Sequence, residues 1–163
     1  MAEVIRGSPS ARHDFDALFC EHSDGVFRTM YAFVGGRRAV AEEATAEAFA
    51  RALVARQRIR DPVAWIYRTA FRLATAELRR ERREPVESAQ SEEVPAGLGG
   101  VVDALRQLSP NQRAAIVLRY EADLSVQEIA SWMGASAATV RVHLHRGRNR
   151  LRELLGTEET DDA

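Results

Sequence analysis

The residues best suited to chemistry in this chain are arginines, and they are concentrated in two segments. Six arginines and two glutamates lie between Arg68 and Arg83, and five arginines with no acid lie between Arg141 and Arg152. A guanidinium group presents a planar fork of donors that matches phosphate oxygens and guanine edges. Both segments therefore suit contacts with nucleic acid, although the whole chain carries a formal net charge of −1. A charge run such as Arg79, Arg80, Arg82 and Arg83 is, by itself, more often a solvated surface than a site.

The second arginine segment follows a pattern typical of a helix-turn-helix. A short predicted helix ends at Gly134, a residue suited to a left-handed C-cap, and Ser136 caps the next helix. One face of that helix is apolar and must meet the core: Val140, Leu144, Gly147 and Leu151. The remaining surface could lie in a DNA major groove. Its candidate DNA-binding residues are Ser136, Thr139, Arg141, Val142, His143, His145, Arg146 and Arg148.

Two alternatives apply to this arginine-rich helix. The arginines could simply complement the helix dipole and solvate the surface. A metal site is disfavoured because His143 and His145 are two residues apart and do not share a helix face.

Apolar periodicity predicts an all-α chain of two small helical domains. The first unit combines helices over 15–34 and 39–55 with one that starts at Pro62 behind the N-cap Asp61. The second combines helices over 101–108, after Ser109, after Ser125 and after Ser136. The segment between the units is rich in proline, glycine and glutamate and predicts a flexible linker. The expected boundaries are 12–84, a linker over 85–100, a second domain over 101–156 and an acidic tail over 157–163.

Several functions are disfavoured by what the sequence contains. A single cysteine, Cys20, forms no internal disulfide and no zinc site, and we predict that it is a small buried apolar residue. The chain has no glycine-rich phosphate loop, no nucleophile elbow and no metal-spaced cluster, so we expect neither an enzyme nor a cofactor. No apolar run could span a membrane, which favours a cytosolic protein. Trp65 fits the core phase of its helix better than a base-stacking role.

Three stretches, taken in order, carry a family resemblance. Residues 42–53 form an acidic helix around Phe49, and residues 61–70 contain Pro62 and Trp65 at the start of another helix. Residues 108–113 and 128–141 contain the capped helix starts and the turn of the helix-turn-helix. Over residues 12–156 the chain thus resembles an extracytoplasmic-function sigma factor, the smallest class of the bacterial sigma-70 family.

The resemblance implies a subunit that directs core RNA polymerase to promoters and starts transcription. It implies docking on the polymerase clamp helices through Glu42, Glu43, Glu47 and Phe49. It implies minus-10 recognition and melting through Arg68, Arg72, Ala76, Arg79, Arg80 and Arg83. The C-terminal helix-turn-helix would read the minus-35 element beside the polymerase flap, and an anti-sigma factor is a plausible further partner.

The chain departs from the family pattern at each of these surfaces. Val40 and Ala46 replace the usual aspartate and glutamine of the clamp-binding helix, so polymerase contact is expected to rest on the remaining acids. Arg72 and Ala76 replace the usual asparagine and aspartate of the minus-10 helix. Val142 and His143 replace the usual serine and arginine of the recognition helix. Two alternatives therefore stay open: a degenerate sigma-like regulator that binds polymerase without opening promoters, and a stand-alone helix-turn-helix regulator.

Overall fold

A computed structural model describes residues 9–84 and 99–156, with side chains from residue 14 onward in the first stretch. Within these stretches the chain is all-α, as predicted, and contains no strand. The helices are α1 (Pro9–Phe33), α2 (Arg38–Ala55), α3 (Pro62–Arg83), α4 (Gly99–Arg106), α5 (Pro110–Tyr120), α6 (Val126–Met133) and α7 (Ala137–Leu155), with a 3-10 turn at Arg56–Arg58. None of these helices is long and apolar enough to cross a membrane.

Two predicted segments fall largely outside the described residues. The linker prediction covers 85–100, of which 85–98 is not described, and the acidic tail over 157–163 is not described either. Gly99 and Gly100 were assigned to the linker but belong to the first turn of α4. Nothing lies within 4 Å of the Cβ position of either glycine. This turn therefore has no packing contact at the glycines that a sequence pattern could indicate.

The N-terminal half, α1–α3, has ends set by residues with special backbone preferences. α1 is followed by Gly35 and Gly36, whose φ angles of 67° and 83° lie in the left-handed region that favours glycine. α3 begins at the predicted cap, because the Asp61 carboxylate accepts a hydrogen bond from the Ala64 N–H at 3.1 Å. The core of this half includes Val26, Met30, Phe49, Ile66 and Ala70.

The C-terminal half, α4–α7, contains the predicted helix-turn-helix as α6 and α7. Gly134 adopts the left-handed conformation at the end of α6, with φ 64°. Ser136 then caps α7, where its hydroxyl oxygen accepts a hydrogen bond from the Thr139 N–H at 3.1 Å. The predicted inner face of α7 is confirmed: Val140, Leu144 and Gly147 are buried, and Leu151 is half-buried. This packing fixes the rotation of α7 and hence the residues it presents outward.

The two halves pack against each other, which the sequence did not predict. The Trp132 ring of α6 lies 6.2 Å from the Phe71 ring of α3, centroid to centroid, and the Arg68 guanidinium lies 5.7 Å from the same indole. On the other side of the contact, Arg106 Nε donates a hydrogen bond to the Gly35 carbonyl at 2.5 Å. The buried apolar residues of both halves therefore form one continuous cluster.

The prediction for Cys20 is wrong, because this side chain is exposed. An α-helix turns about 100° per residue, so Cys20 lies about 200° around α1 from Leu18, which packs against the core. Phe19, next to Leu18 at the face that packs against the core, is 46% exposed. It lies at the margin of that face, where its ring meets Phe49 edge-on at 5.0 Å.

We expect the free energy of unfolding to fall less in acid for Glu128→Gln than for the parent. The Ser125 N–H donates to the Glu128 carboxylate at 2.8 Å within a capping box, and this bond lowers the pKa of Glu128 from its ordinary value of 4.5. Because the folded-state pKa is the lower one, the stabilisation is complete above the unfolded value and is lost as pH falls through the folded value. Glutamine keeps an acceptor but does not titrate.

Urea unfolding at about pH 7 and about pH 3 measures this effect. Between the two conditions the variant should lose roughly 0.5 kcal/mol less than the parent, a size typical of an exposed capping interaction. The second capping box, Ser109 with Gln112, has no titrating carboxylate and is unaffected by the substitution. Equal losses in parent and variant would contradict the prediction.

Candidate nucleic-acid interface

The start of α7 combines a satisfied cap with exposed side chains. The Ser136 hydroxyl binds the Thr139 N–H and lies 2.9 Å from the Thr139 hydroxyl. Both side chains are thus held at the N-terminus of the helix, where free backbone N–H groups favour an anion. This end of α7 is suited to a DNA phosphate at the edge of a groove.

The outward face of α7 carries the candidate base contacts. Arg141 is exposed and makes no hydrogen bond or ion pair with any described residue. Val142 is 45% exposed, and His145 lies one turn further along the same side. His143 lies between the outer and inner faces and is half-buried, so it is less accessible to DNA than Arg141 or His145. An unpaired guanidinium on the first two turns is well placed to read a guanine edge.

The second half of α7 is suited to backbone contacts. Arg146 is exposed, whereas Arg148 is half-buried and its Nη1 donates to the Tyr120 hydroxyl at 3.2 Å. Asn149, which the sequence analysis missed, lies 3.2 Å from the His145 ring and accepts a hydrogen bond from Arg152 at 3.1 Å. The spacing of these residues by three and four positions could have indicated this exposed polar row.

The candidate minus-10 residues form one stripe along α3. Their spacing of three or four positions places them on one side of the helix, and except for Arg68 they lie toward its C-terminal end: Arg68, Arg72, Ala76, Arg79, Arg80 and Arg83. All six are exposed. Arg80 is the one already paired, with Glu77, and this hydrogen bond lowers the pKa of the glutamate and raises that of the arginine. Arg72, Arg79 and Arg83 form no ion pair with the described residues and keep their charge available for phosphate.

One residue of the stripe is engaged by the C-terminal half. Arg68 stacks over Trp132, the cation–π contact described above, so its guanidinium is already engaged although the side chain stays exposed. Sequence reasoning identified Arg68 but not Trp132. The available signal was a large aromatic side chain on a helix of only eight residues. A domain this small offers little surface to cover the Trp132 ring, so a contact outside the domain could have been expected.

The acidic surface of α2 is exposed, and one member of it is unpaired. Glu42 pairs with Arg38 at 3.2 Å and Glu47 with Arg51 at 2.6 Å, both one turn apart. Glu43 is exposed and has no hydrogen bond or ion pair with the described residues. Among these acids, Glu43 can therefore bind a cationic partner without first breaking an internal ion pair.

Phe49 requires a correction to its predicted role in docking. It is 3% exposed and packs against Phe15 and Phe19, with ring centroids 6.4 Å and 5.0 Å away. A ring covered in this way does not contact a partner directly. Phe49 instead anchors α2 against α1, and so holds the acids in position.

A groove of about 430 Å³ between α2 and α3 joins the acidic surface to the arginine stripe. Apolar and charged residues of both helices line it: Val40, Glu43, Ala44, Glu47 and Arg51 from α2, and Leu73, Ala76, Glu77 and Arg80 from α3. Residues from two predicted surfaces, Glu43 with Glu47 and Ala76 with Arg80, thus face one groove. The groove therefore offers carboxylates to a basic partner and guanidinium groups to an acidic one.

Comparisons with known proteins agree with this arrangement. The Sigma-70 region 2 family matches residues 18–84, and the Sigma-70 region 4 family matches residues 99–151. The chain is similar to the ECF RNA polymerase sigma factor SigE of Mycolicibacterium smegmatis, with 30% identity over 96% of this chain and 67% of the relative. It is also similar to the RNA polymerase sigma factor CarQ of Myxococcus xanthus, with 30% identity over 94% of this chain and 95% of the relative.

Solved structures show the same fold. The sigma factor RpoE from Bartonella quintana, crystallised in complex with the anti-sigma factor NepR, superposes with a TM-score of 0.74. The match covers 89% of this chain and 98% of that chain at 21% sequence identity. CnrH, solved with the cytosolic domain of CnrY, gives a TM-score of 0.65 over 90% of both chains.

Proposed function

The chain belongs to the extracytoplasmic-function sigma factors of the sigma-70 family, and we propose that it selects promoters through the surfaces on α2, α3 and α7. It is a sigma factor for RNA polymerase, with core polymerase and promoter DNA as its partners. The observation that best supports the residue assignment is the unpaired outward face of α7, with Arg141 on it, in a correctly capped helix-turn-helix.

Each surface then has one task. The acidic surface of α2 binds the polymerase clamp, the arginine stripe of α3 holds the opened minus-10 strand, and α7 reads the minus-35 element in the major groove. We assign the first two tasks to residues 12–84 and the third to residues 101–156. The chain performs no chemical step itself, because the polymerase makes the RNA. It acts where the polymerase is, in the cytoplasm.

Promoter binding requires the two halves to separate. Elements centred near minus 35 and minus 10 are about 25 base pairs apart, or roughly 85 Å of duplex. A helical domain of this size is only about 30 Å across, so two domains in contact cannot cover both elements. Opening would release Arg68 from Trp132 and complete the α3 stripe.

The structurally similar RpoE was solved with an anti-sigma factor. We propose that this chain is also held inactive by a partner of that kind, which would favour the contact between the halves. The acidic and basic surfaces described above offer such a partner complementary charges on both halves.

Transcription with purified components tests the proposal. The chain is mixed with core polymerase lacking any sigma factor, genomic DNA fragments are added, and the 5′ ends of the transcripts are sequenced. Discrete starts that share two upstream elements would support the proposed function. Core binding without starts would favour the degenerate regulator, and DNA selection without core binding would favour a stand-alone helix-turn-helix regulator.

Charge reversal on α2 should weaken docking. We expect Glu43→Arg to reduce affinity for core polymerase about 10- to 100-fold, because it removes an unpaired acid and reverses the charge at that point of the docking surface. Glu21→Arg makes the same charge change on α1, where the side chain is 75% exposed, and should leave affinity unchanged. Titration of labelled core polymerase measures both, and equal affinities for the two variants would remove Glu43 from the docking surface.

A further inference from the structure

Two buried polar atoms near the contact between the halves have no hydrogen-bond partner. They are the Tyr31 hydroxyl and Arg113 Nε, the only buried side-chain polar atoms of this kind among the described residues. Tyr31 itself is 5% exposed. Burying a donor without a partner costs free energy, so native structures rarely keep one without a bound water or ion.

Both residues border the Gly35–Gly36 turn. The Cβ position of Gly36 lies 3.5 Å from the Tyr31 hydroxyl and 2.8 Å from Arg106 Nη2. The Cβ position of Gly35 lies 3.4 Å from Arg113 Nη1. Donors from α1, α4 and α5 therefore surround one turn, at a place that exists only while the halves are in contact. We call Tyr31, the Gly35–Gly36 turn, Arg106 and Arg113 the junction site.

The charges around the junction site are mostly positive. Burial lowers the pKa of Arg113, and the nearby charges of Arg37, Arg82 and Arg106 lower it further. Asp103 lies 3.0 Å from Arg106 Nη1, and Glu81 pairs with Arg37. No described carboxylate pairs with Arg113 or with the Tyr31 hydroxyl. The site thus combines excess positive charge with donors that lack an acceptor.

We propose that the junction site binds a small oxyanion, a phosphate or a carboxylate group, between Tyr31, Arg106 and Arg113. An oxyanion supplies acceptors for the Tyr31 hydroxyl and for the guanidinium forks, which match both phosphate and carboxylate geometry. It also offsets the repulsion among the arginines. Glycine has no Cβ, and a Cβ at Gly36 would lie 2.8 Å from Arg106 Nη2, so the two glycines let the backbone of the turn approach the arginines closely.

The anion would bind the chain when its two halves are in contact and not when they are separated. Tyr31 and the turn belong to the N-terminal half, and both arginines belong to the C-terminal half, so separation of the halves destroys the site. A ligand that binds one state shifts the population toward it. Granted the proposed function, the oxyanion stabilises the closed state and opposes promoter recognition.

Thermal unfolding of the full chain tests binding without any polymerase. Inorganic phosphate and, separately, acetate are titrated at ionic strength held constant with sodium chloride. At ten times the dissociation constant, the melting temperature should rise by about 3–6 °C. A response to phosphate assigns a phosphate-type ligand, and a response to acetate assigns a carboxylate. No response to either anion would mean that water fills the site, which overturns the proposal.

Variants separate specific binding from general salt effects. Tyr31→Phe removes only the hydroxyl and should weaken anion binding about ten-fold, while its stability without the anion stays equal to the parent's or rises. Arg113→Met should abolish the response. Tyr120→Phe and Arg58→Met change an exposed tyrosine and an exposed arginine elsewhere, and should respond as the parent does. The same response in all five proteins would overturn the site.

Transcription distinguishes this proposal from the proposed function. If both hold, phosphate should inhibit promoter-specific transcription by the parent more strongly than by Tyr31→Phe. Equal inhibition, with specific binding established, would overturn the regulatory consequence but not the anion site. A chain that binds phosphate but supports no transcription would instead count against the proposed function.

Discussion

Gly147→Val is expected to destabilise the C-terminal half by about 3 kcal/mol and to abolish minus-35 recognition. Gly147 lies in the middle of α7, where a Cβ atom would approach Ile116 Cγ1 to 2.8 Å and Cδ1 to 3.2 Å. Ile116 is buried, with 6% of its surface exposed, so its side chain has little room to move. The valine would push α7 away from α5 and change the rotation that presents Arg141.

The melting temperature and the transcription assay both measure the effect. A loss of this size should lower the melting temperature by roughly 6–12 °C. Gly100→Val is the matched control, because nothing lies within 4 Å of the Cβ position of Gly100. The double variant Ile116→Ala with Gly147→Val should regain part of the loss, since the smaller side chain removes the clash. If Gly147→Val melts like the parent, the close packing of α5 on α7 is wrong.

The sequence predicted the helices and caps because their signals are local. Asp61, Ser125 and Ser136 cap their helices as expected, since a cap depends on residues three positions apart. The inner face of α7 was likewise predictable from periodicity, because one helix face must be buried. The resemblance added the family, which the matches to both sigma-70 regions confirmed.

Features that depend on contacts between distant elements were not predictable. The contact of Trp132 with Phe71 joins residues from opposite sides of the linker, and no local pattern encodes it. The unpartnered Tyr31 hydroxyl is of the same kind, because its burial depends on helices that follow much later in the chain.

Arg141→Ala is expected to lower transcription from the cognate promoter about 10- to 100-fold while core polymerase binding stays unchanged. A bidentate contact between an arginine and a base contributes about 1–3 kcal/mol of discrimination, and Arg141 is exposed and unpaired on the outward face of α7. The loss should be confined to one base position of the minus-35 element, because alanine cannot distinguish the base that arginine reads. Promoter libraries randomised at that element measure it directly.

Arg152→Ala provides the matched comparison on the same helix. Arg152 lies in the last turn of α7, is exposed and bonds Asn149, so its expected partner is the DNA backbone. Its loss should weaken binding to all sequences about equally and reduce the slope of log affinity against log salt by about one. The two variants therefore differ in kind, one in sequence preference and the other in salt dependence. An unchanged promoter preference for Arg141→Ala would show that another residue of α7 reads the base.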